Sequence, residues 1–415
     1  MPKYFLNTMH GYSVSQVADI CGVSKDTVRR WDKSGKLSAE RVEETGHRYY
    51  TKQQLLQFGE ARIFFNKSTE LIEEPTQQYS CIELFAGAGG LALGLERAGF
   101  HSILLNEIDR NACQTLIKNR PNWNVVNAPI EEVDFQAYKG KVDLVSGGFP
   151  CQAFSYAGKK LGFEDVRGTL FYEFARCLKE SQPSMFIAEN VRGILRHDNG
   201  QTIQTIVSVF KELGYHVFSP NLLKAIHYRV PQKRERVIII GIKQELWDGG
   251  EFTWPSPDGQ IYTVKDALMK GDLFDQDVPK SEGQKYPEAK KRIMDLVPPG
   301  GYWRDLPVDI QKEYMKKSFY LGGGKTGMAR RMSWDEPSLT LTTAPAQKQT
   351  ERCHPEETRP FTTREYARIQ TFPDDWEFMG SQTSVYKQIG NAVPVNLAEV
   401  VGGSLIKMMN RLQVG

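Results

Sequence analysis

The chain has 415 residues, of which 25% are charged and 40% hydrophobic, and 53 Lys and Arg against 50 Asp and Glu give a net charge of +3. This length suffices for two or three domains, the ordinary composition excludes a disordered or fibrous chain, and the small net charge alone does not argue for a nucleic-acid partner. No run approaches the roughly 18 apolar residues of a membrane span and no signal peptide is recognised, so we expect a cytoplasmic protein without a membrane partner.

Residues 1–66 carry the pattern of a small helical DNA-binding module. Ser13-Val14-Ser15-Gln16 has the spacing of a capping box, Gly22 ends the first helix, and Ser24 can cap a second one. The outward side of that second helix is basic and carries Lys25, Arg29, Arg30 and Lys33. A glycine turn before a basic helix is typical of a helix-turn-helix, whose second helix enters the major groove. We therefore predict DNA contacts here, the alternative being a helical extension with a solvated basic face.

A hairpin wing is predicted next, at Gly46-His47-Arg48-Tyr49-Tyr50, followed by another capped helix at Thr51 to Gln54. The segment resembles the winged helix-turn-helix of MerR-type regulators in this wing, in Val14-Ser15-Gln16-Val17-Ala18, in Gly22-Val23-Ser24 and in Thr27-Val28-Arg29-Arg30-Trp31. The resemblance covers about one sixth of the chain, and the long dimerising helix of such regulators is missing.

The rest of the chain divides into a linker and three further segments. Residues 67–78 are polar and contain a proline, as linkers do. In residues 79–243, short apolar runs alternate with helical patterns, which predicts an α/β domain with a mostly parallel sheet. Residues 244–358 are rich in Pro and Gly and predict a smaller irregular domain. Helical patterning returns in residues 359–415, which we expect to rejoin the core of the first domain.

Three predicted strands are each followed by residues that can carry chemistry. Ile82 to Phe85 precede a glycine loop, Ala86-Gly87-Ala88-Gly89-Gly90. Val142 to Val145 precede Gly147-Gly148-Phe149-Pro150-Cys151-Gln152, and Met185 to Ala188 precede Glu189-Asn190-Val191. Because ligands bind outside the carboxyl ends of strands in open α/β sheets, we expect the loop, the thiol and the carboxylate in one crevice. This is the layout of an enzyme.

The glycine loop predicts a nucleoside-containing cofactor. Gly87, Gly89 and Gly90 allow a tight turn that a ligand can approach closely, and Glu107 ends the next strand, where an acid accepts hydrogen bonds from ribose hydroxyls. The spacing is not that of the dinucleotide fingerprint, which disfavours NAD. A merely structural turn is the alternative.

Cys151 is the candidate nucleophile. The six cysteines show no Cys-x-x-Cys pairing, so we predict neither a metal site nor a disulfide framework, and five of them are expected to be buried, reduced thiols. Glycines and a proline surround Cys151 and nearby lysines would favour its thiolate. Glu189 is the candidate proton donor or acceptor. Gln232-Lys233-Arg234-Glu235-Arg236 is either a solvated charge cluster or a clamp for a phosphate or an anionic base.

These motifs together resemble those of the DNA cytosine-5 methyltransferases, from about Tyr79 to Leu412. The matching blocks occur in the family's order: Phe85 to Gly90, Gly147 to Ser155, Arg167-Gly168-Thr169-Leu170-Phe171, Glu189-Asn190-Val191, Gln232 to Arg236, Arg364 to Pro373, and Gly390-Asn391-Ala392-Val393-Pro394. One block departs, because Ala128-Pro129-Ile130 stands where the family often has Gly-Asp-Ile. The aspartate that would bond the adenine amino group is therefore missing from this position.

The resemblance implies a Rossmann-like, S-adenosylmethionine-dependent methyltransferase acting on duplex DNA. The Cys151 thiolate would add to carbon 6 of a flipped-out cytosine, and the resulting enamine would take the methyl group at carbon 5 before proton loss and release of the thiol. Glu189 would bond ring nitrogen 3 and the amino group, while Arg234 and Arg236, supported by Gln232, would hold the base carbonyl and a phosphate. The cofactor is expected against Phe85, Ala86, Gly87, Gly89, Gly90, Leu91, Glu107, Ile130, Pro150, Asn391 and Val393.

The DNA contacts implied by the resemblance fall on two further segments. Ser155 belongs to the loop from Gln152 to Gly168 that would close over the base. The irregular domain falls where the family keeps its target-recognition region, and its candidate base-contacting residues include Arg330, Arg331, Thr340, Thr342, Thr343 and Gln347. Any single one of these can equally be a solvated polar side chain.

Such an enzyme would be the modification partner of a restriction endonuclease that acts on the same site. Its N-terminal module could bind the enzyme's own promoter. Two alternatives remain open at this point: a DNA-binding regulator as the main role, and cytosine-5 methylation of RNA. Amino-group methylation is disfavoured because neither Asn-Pro-Pro-Tyr nor Asp-Pro-Pro-Tyr occurs.

Overall fold

The computed structural model describes residues 11–43, 46–65, 73–150 and 169–413. The N-terminal module contains a small antiparallel sheet, in the order β1-β3-β2, and four helices. Its elements are β1 (Tyr12–Ser13), α1 (Val14–Cys21), α2 (Lys25–Lys33), β2 (Glu40–Arg41), β3 (Arg48–Tyr50), α3 (Lys52–Leu55) and α4 (Gly59–Phe65).

The helix boundaries of this module follow its predicted caps. Ser13 and Gln16 form the capping box of α1, which ends at Gly22 in the left-handed region with φ 66°. The Ser24 side chain accepts a hydrogen bond from the backbone N–H of Thr27 and so caps α2. Val28 on α2 is fully buried. The predicted helix-turn-helix and its hairpin wing are therefore both present.

A central sheet of eight strands organises residues 79–243 of the chain. Its elements up to the end of the sheet are β4 (Tyr79–Leu84), α5 (Gly90–Arg97), β5 (Phe100–Asn106), α6 (Arg110–Asn119), β6 (Val125–Val126), β7 (Leu144–Gly147), α7 (Leu170–Ser181), β8 (Met185–Val191), α8 (Gln201–Glu212), β9 (Tyr215–Val217), β10 (Asn221–Lys224), β11 (Gln232–Lys233) and β12 (Glu235–Lys243). The strand order is β10-β12-β8-β7-β4-β5-β6, and β9 also pairs with β12; β11 lies outside this sheet.

The sheet is mixed. Strands β6, β5, β4, β7 and β8 run parallel, whereas β12 runs antiparallel to β8, β9 and β10. Since β12 pairs with β8 as far as Val191, β8 continues through Glu189, which the sequence predicts to follow the strand. Because β12 runs antiparallel to β8, its first residues lie beside the last residues of β8. The motifs Glu189-Asn190-Val191 and Gln232 to Arg236 therefore meet at the same end of the sheet.

The remaining elements follow the sheet along the chain. They are α9 (Val264–Leu268), α10 (Glu288–Asp295), α11 (Val308–Met315), β13 (Ser338–Leu339), α12 (Thr363–Ile369), α13 (Gln382–Asn391) and α14 (Val395–Gln413). Strand β13 pairs in parallel with β11, which connects the irregular segment to residues 79–243. Helix α14 packs tightly on α5, where a Cβ on Gly94 would lie 2.3 Å from the Cβ of Ala398.

The segment Gln382–Leu412 is long and apolar enough to cross a membrane by length and composition, and 61% of its apolar window is buried in the molecule. Such burial is typical of a core helix in a globular protein.

Candidate active site at the carboxyl edge of the sheet

A cavity of about 770 Å³ opens where the parallel strands end. Its volume lies in the range of small-ligand sites, which is about 300–1,000 Å³. Most of the predicted cofactor and catalytic residues line it: Phe85, Ala86, Gly87, Gly90, Leu91, Glu107, Ile130, Pro150, Glu189, Arg234, Arg236, Asn391 and Val393. The fold therefore gathers the glycine loop, the carboxylate and the arginines in one space.

The glycine loop has the shape of a ligand cradle. Gly87 and Gly89 have φ values of 55° and 85°, and the non-glycine Phe85 has φ 58°, a conformation that ordered sites tolerate at a cost. A Cβ built on Gly87 would meet nothing within 4 Å, because that position faces open space. A Cβ on Gly90 would lie 2.2 Å from the carbonyl oxygen of Val393. The backbones at Gly90 and Val393 therefore pack directly against each other.

Glu107 fixes the loop from the neighbouring strand. Its Oε2 accepts a hydrogen bond from the backbone N–H of Gly87 at 2.7 Å, and its Oε1 accepts one from Asp109 at 2.8 Å. The carboxylate also lines the cavity, beside Asn106 at the end of β5. Each carboxylate oxygen can accept more than one hydrogen bond, so capacity remains for ribose hydroxyls.

Ala128-Pro129-Ile130, which stands where the family often has Gly-Asp-Ile, is followed by an acidic residue that was not among the predicted site residues. Ala128 and the buried Ile130 line the cavity, and so does Glu131 in the following 3₁₀ turn, Ile130–Glu132. A carboxylate is thus present in this wall, two residues beyond Pro129. The sequence does indicate it, because the acidic pair Glu131-Glu132 directly follows Ile130.

Glu83 is a second cavity residue that the sequence did not single out. It lies in β4, is 2% exposed and lines the cavity. Burial raises the pKa of Glu83 to about 8, against weaker opposing hydrogen bonds from Ala92 and Ser146. Only its tertiary surroundings distinguish it from an ordinary strand residue.

Glu189, Arg234 and Arg236 form the polar end of the cavity. The Nε atom of Arg236 contacts Oε1 of Glu189, and these side chains are only 9% and 12% exposed. Arg234 is 2% exposed, and its guanidinium donates to the carbonyl oxygens of Leu341 and Asn391. Burial and the charge of Arg236 lower the pKa of Arg234, while Glu189 raises it. The carboxylate therefore compensates two buried cations.

The backbone before the catalytic loop is held against Glu189. A Cβ on Gly148 would lie 2.5 Å from Oε2 of Glu189, so a larger residue there would displace the carboxylate from its present position. Asn190 donates a hydrogen bond to the carbonyl oxygen of Phe149 at 3.0 Å, directly before Pro150. Cys151 and Ser155 lie outside the described residues.

The other five cysteines are buried and free. Burial raises the pKa of Cys21, Cys113 and Cys353 to about 11, and it also raises the pKa of Cys81 and Cys177. Thiols of this kind are protonated and inert at neutral pH. The predicted burial of these five cysteines is confirmed.

Gln232 supports the site from behind. Its side chain is fully buried, donates to Gln370 at 2.8 Å and accepts from the backbone N–H of Leu341 at 2.9 Å. It therefore joins β11 to the end of α12 and to the segment that carries Thr342.

The irregular segment reaches the cavity at one place. Thr342 and Thr343 line the cavity wall, and the backbone of Thr342 packs against Gly390, where a Cβ would lie 2.4 Å from its carbonyl oxygen. Arg330 lies over the ring of Tyr302 at 5.9 Å, outside the cavity.

Arg331 has a structural position instead of the predicted DNA-facing one. It is 4% exposed, and its guanidinium donates to the carbonyl oxygens of Met294, His354 and Glu356 and to the hydroxyl of Thr358. A side chain held in this way braces the segment from inside, since both terminal nitrogens of its guanidinium already donate to the protein.

The basic residues of α2 differ in their surroundings. Lys25 pairs with Glu336 of the irregular segment at 2.7 Å, and Arg29 pairs with Asp26 at 2.7 Å. Arg30 is exposed. The predicted DNA-facing helix therefore has its first residue turned towards the rest of the molecule.

An open α/β sheet with this glycine loop, an acid on the next strand and a carboxylate–arginine end defines the class of S-adenosylmethionine-dependent methyltransferases. The chain belongs to the C-5 cytosine-specific DNA methylase family, whose model matches residues 79–407. S-adenosylmethionine is the methyl donor of this family. A model of the MerR helix-turn-helix regulatory proteins matches residues 12–69.

Similar proteins agree with this assignment. The chain is 62% identical to the type II methyltransferase M.Eco47II of Escherichia coli over 99% of both chains. It is 60% identical to M.PspPI of a Psychrobacter species over 96% of both chains. Among solved structures, a DNA modification methyltransferase encoded within an E. coli prophage superposes with a TM-score of 0.61 at 24% identity, covering 80% of this chain and all of the other. This likeness supports the fold.

Proposed function

We propose that this chain methylates carbon 5 of a flipped-out cytosine in duplex DNA, as the cytoplasmic modification enzyme of a type II restriction-modification system. The observation that carries this proposal is the single cavity shared by the glycine loop, Glu189, Arg234 and Arg236. The type II methyltransferases at 60% and 62% identity support the restriction-modification context and with it an endonuclease acting on the same site.

Glu189 and the arginines would stabilise the charge that develops on the base. A carboxyl group here can hold ring nitrogen 3 and the amino group, while the guanidinium of Arg234 or Arg236 faces the carbonyl. These groups are already ordered by one another, which reduces the reorganisation needed when the base enters. A base inside a duplex cannot reach such a cavity, so extrusion of the nucleotide is required.

Cys151 would provide the nucleophile. Cys151 directly follows Pro150 in the sequence. Pro150 lines the cavity, and Asn190 donates a hydrogen bond to the carbonyl oxygen of Phe149. The thiolate would add to carbon 6, and its departure would restore the double bond once the carbon 5 proton is lost. The burial of all five other cysteines leaves Cys151 as the candidate for this step.

The cavity fits S-adenosylmethionine, which supplies an electrophilic sulfonium methyl group when bound. Gly87 opens the space for it, the carboxylate of Glu107 can accept hydrogen bonds from ribose hydroxyls, and Asn391 and Val393 close the wall beside the loop. Glu131 would take the place of the missing aspartate and accept a hydrogen bond from the adenine amino group.

Bisulfite sequencing of plasmid DNA from cells that express the full chain tests the proposal, with Cys151→Ala as the control variant. We expect protected cytosines in one short recurring context, absent in the control. An unprotected plasmid, with soluble protein that binds S-adenosylmethionine, would refute it; a filter assay with RNA would then decide whether RNA is the substrate.

The MerR match supports a second role for the N-terminal module, namely binding to the promoter of its own gene. Footprinting of the full chain on the upstream DNA tests this role, with Arg30→Gln as the variant. Protection that Arg30→Gln weakens is expected. Protection no stronger than on unrelated DNA would contradict it.

A further inference from the structure

The N-terminal module is docked firmly on the catalytic part. Ile226 and Ile261 are buried within the apolar core of the module, and the ring of Phe64 meets that of His227 edge-on at 5.3 Å. Two ion pairs flank this apolar contact: Asp19 with Lys233 at 2.9 Å, and Lys25 with Glu336 at 2.7 Å. The position of the module is thus specified by shape and by charge.

A groove of about 560 Å³ runs between the docked module and the catalytic part. One wall is the end of α1 and the turn after it, at Asp19, Gly22 and Val23. The opposite wall carries five cations: Arg192, Lys224, Lys233, Arg234 and Arg236. Among the described residues, only two carboxylates, Asp19 and Glu235, share this lining, so these residues give the groove an excess of positive charge.

The groove is continuous with the candidate active site. Val191, Arg234, Arg236 and Thr340 line both the groove and the cavity that holds Glu189. Three of the cations have carboxylate partners, since Arg192 pairs with Glu235 at 2.8 Å, Lys233 with Asp19, and Arg236 with Glu189. Lys224 forms no ion pair with any described residue, and its ammonium group lies against Gly22.

We propose that this groove holds the phosphodiester backbone of the target strand beside the flipped cytosine, so that the N-terminal module forms part of the substrate site. The inference rests on the proposed function, because a nucleotide rotated out about its backbone leaves its flanking phosphates at the mouth of the base pocket. Cations in such a position contribute affinity that falls with salt concentration and carries no sequence information.

The experiment measures binding of the full chain to duplex DNA at several salt concentrations, in the presence of S-adenosylhomocysteine. The duplex carries the cytosine context found by bisulfite sequencing, or a plasmid fragment if none is found. Lys224→Gln and Arg192→Gln should each weaken binding about 10-fold and reduce the slope of log affinity against log salt by about one. Lys224→Arg keeps the charge and should restore both quantities.

Lys139→Gln is the matched control. Lys139 is an exposed lysine that precedes β7, at the edge of the sheet opposite the cavity, and its replacement should leave the slope unchanged. Single methylphosphonates placed along the target strand then locate the contact. One position beside the cytosine should weaken the wild type about 10-fold and have no further effect on Lys224→Gln, because the charge pair is already lost.

Unchanged affinity and slope in both glutamine variants would overturn the groove assignment, as would methylphosphonate effects that are the same in wild type and Lys224→Gln. The proposed function fails separately, through the absence of methylated cytosines. In that case the salt dependence on the plasmid fragment still decides whether Lys224 and Arg192 contact phosphates.

Discussion

Replacing Glu189 by Gln should slow methyl transfer strongly while leaving the fold largely intact. The carboxylate contacts Arg236 and lies close to Arg234, whose side chains are 9% or less exposed, so its loss leaves two buried cations uncompensated. Removing one partner of a buried pair costs about 3–5 kcal/mol of stability when no water reaches it. Glu189 is 12% exposed in a cavity open to solvent, so we expect a value of about 3 kcal/mol or less.

The catalytic loss should be larger than any loss of DNA affinity. Removing one preorganised contact to developing charge lowers kcat by about 10²–10³, which is about 2.7–4 kcal/mol of transition-state stabilisation. The added positive charge should leave DNA binding equal or tighter. Single-turnover transfer of a radiolabelled methyl group from S-adenosylmethionine measures the chemical step, and equilibrium binding of DNA is measured separately.

Glu173→Gln is the matched control for this prediction. Glu173 forms an equally buried ion pair with Arg176 at 2.6 Å, with side chains 10% and 17% exposed, but it lies on α7 outside the cavity. Its loss should lower the melting temperature without changing the single-turnover rate. A rate for Glu189→Gln within about 3-fold of wild type, or an equal rate loss in Glu173→Gln, would refute the reasoning.

Three further outcomes follow from the cavity walls. Burial raises the pKa of Glu83 to about 8 from 4.5, so its stabilising contribution is complete below pH 4.5 and is lost as the pH rises to about 8. Glu83→Gln should therefore gain about 1.4 kcal/mol per pH unit over wild type across that window in urea unfolding, whereas parallel profiles would contradict the shift. Glu131→Gln should weaken S-adenosylhomocysteine binding about 10-fold by calorimetry, and unchanged affinity would exclude the adenine contact. Gly90→Ala places a Cβ 2.2 Å from a backbone oxygen, so it should lower the free energy of unfolding by about 1–3 kcal/mol and weaken cofactor binding. Gly403→Ala, where a Cβ would meet nothing within 4 Å, should lower neither quantity. Equal melting temperatures for the two variants would contradict this reasoning.

Local signals in the sequence predict local structure well in this chain. The capping boxes of α1 and α3, the glycine turn at residue 22 and the α/β alternation all appear as the sequence indicates. Each depends on residues within a few positions of one another, where side-chain chemistry and backbone preference act directly.

Features that depend on distant partners could not be predicted in the same way. Strand β8 continues through Glu189 because β12 pairs with it, and β12 begins more than 40 residues later. The sequence suggests that Arg331 is a surface cation, yet in the structure it is enclosed by three backbone carbonyl groups and the hydroxyl of Thr358. The docking of the N-terminal module is equally non-local, since Asp19 and Lys233 are adjacent only in the folded chain.

The pairing of β13 with β11 has a consequence for exchanging sequence specificity between related enzymes. In the short stretch from Ser338 to Thr343, Ser338 and Leu339 pair with β11. The backbone N–H of Leu341 donates to Gln232, and its carbonyl oxygen accepts from Arg234. Thr340 to Thr343 form a wall of the catalytic cavity. A chimaera that transplants residues 244–337 would keep the host's own cavity wall. One that transplants residues 244–358 would pair a foreign wall with the host's arginines, so it would alter turnover together with the recognised site.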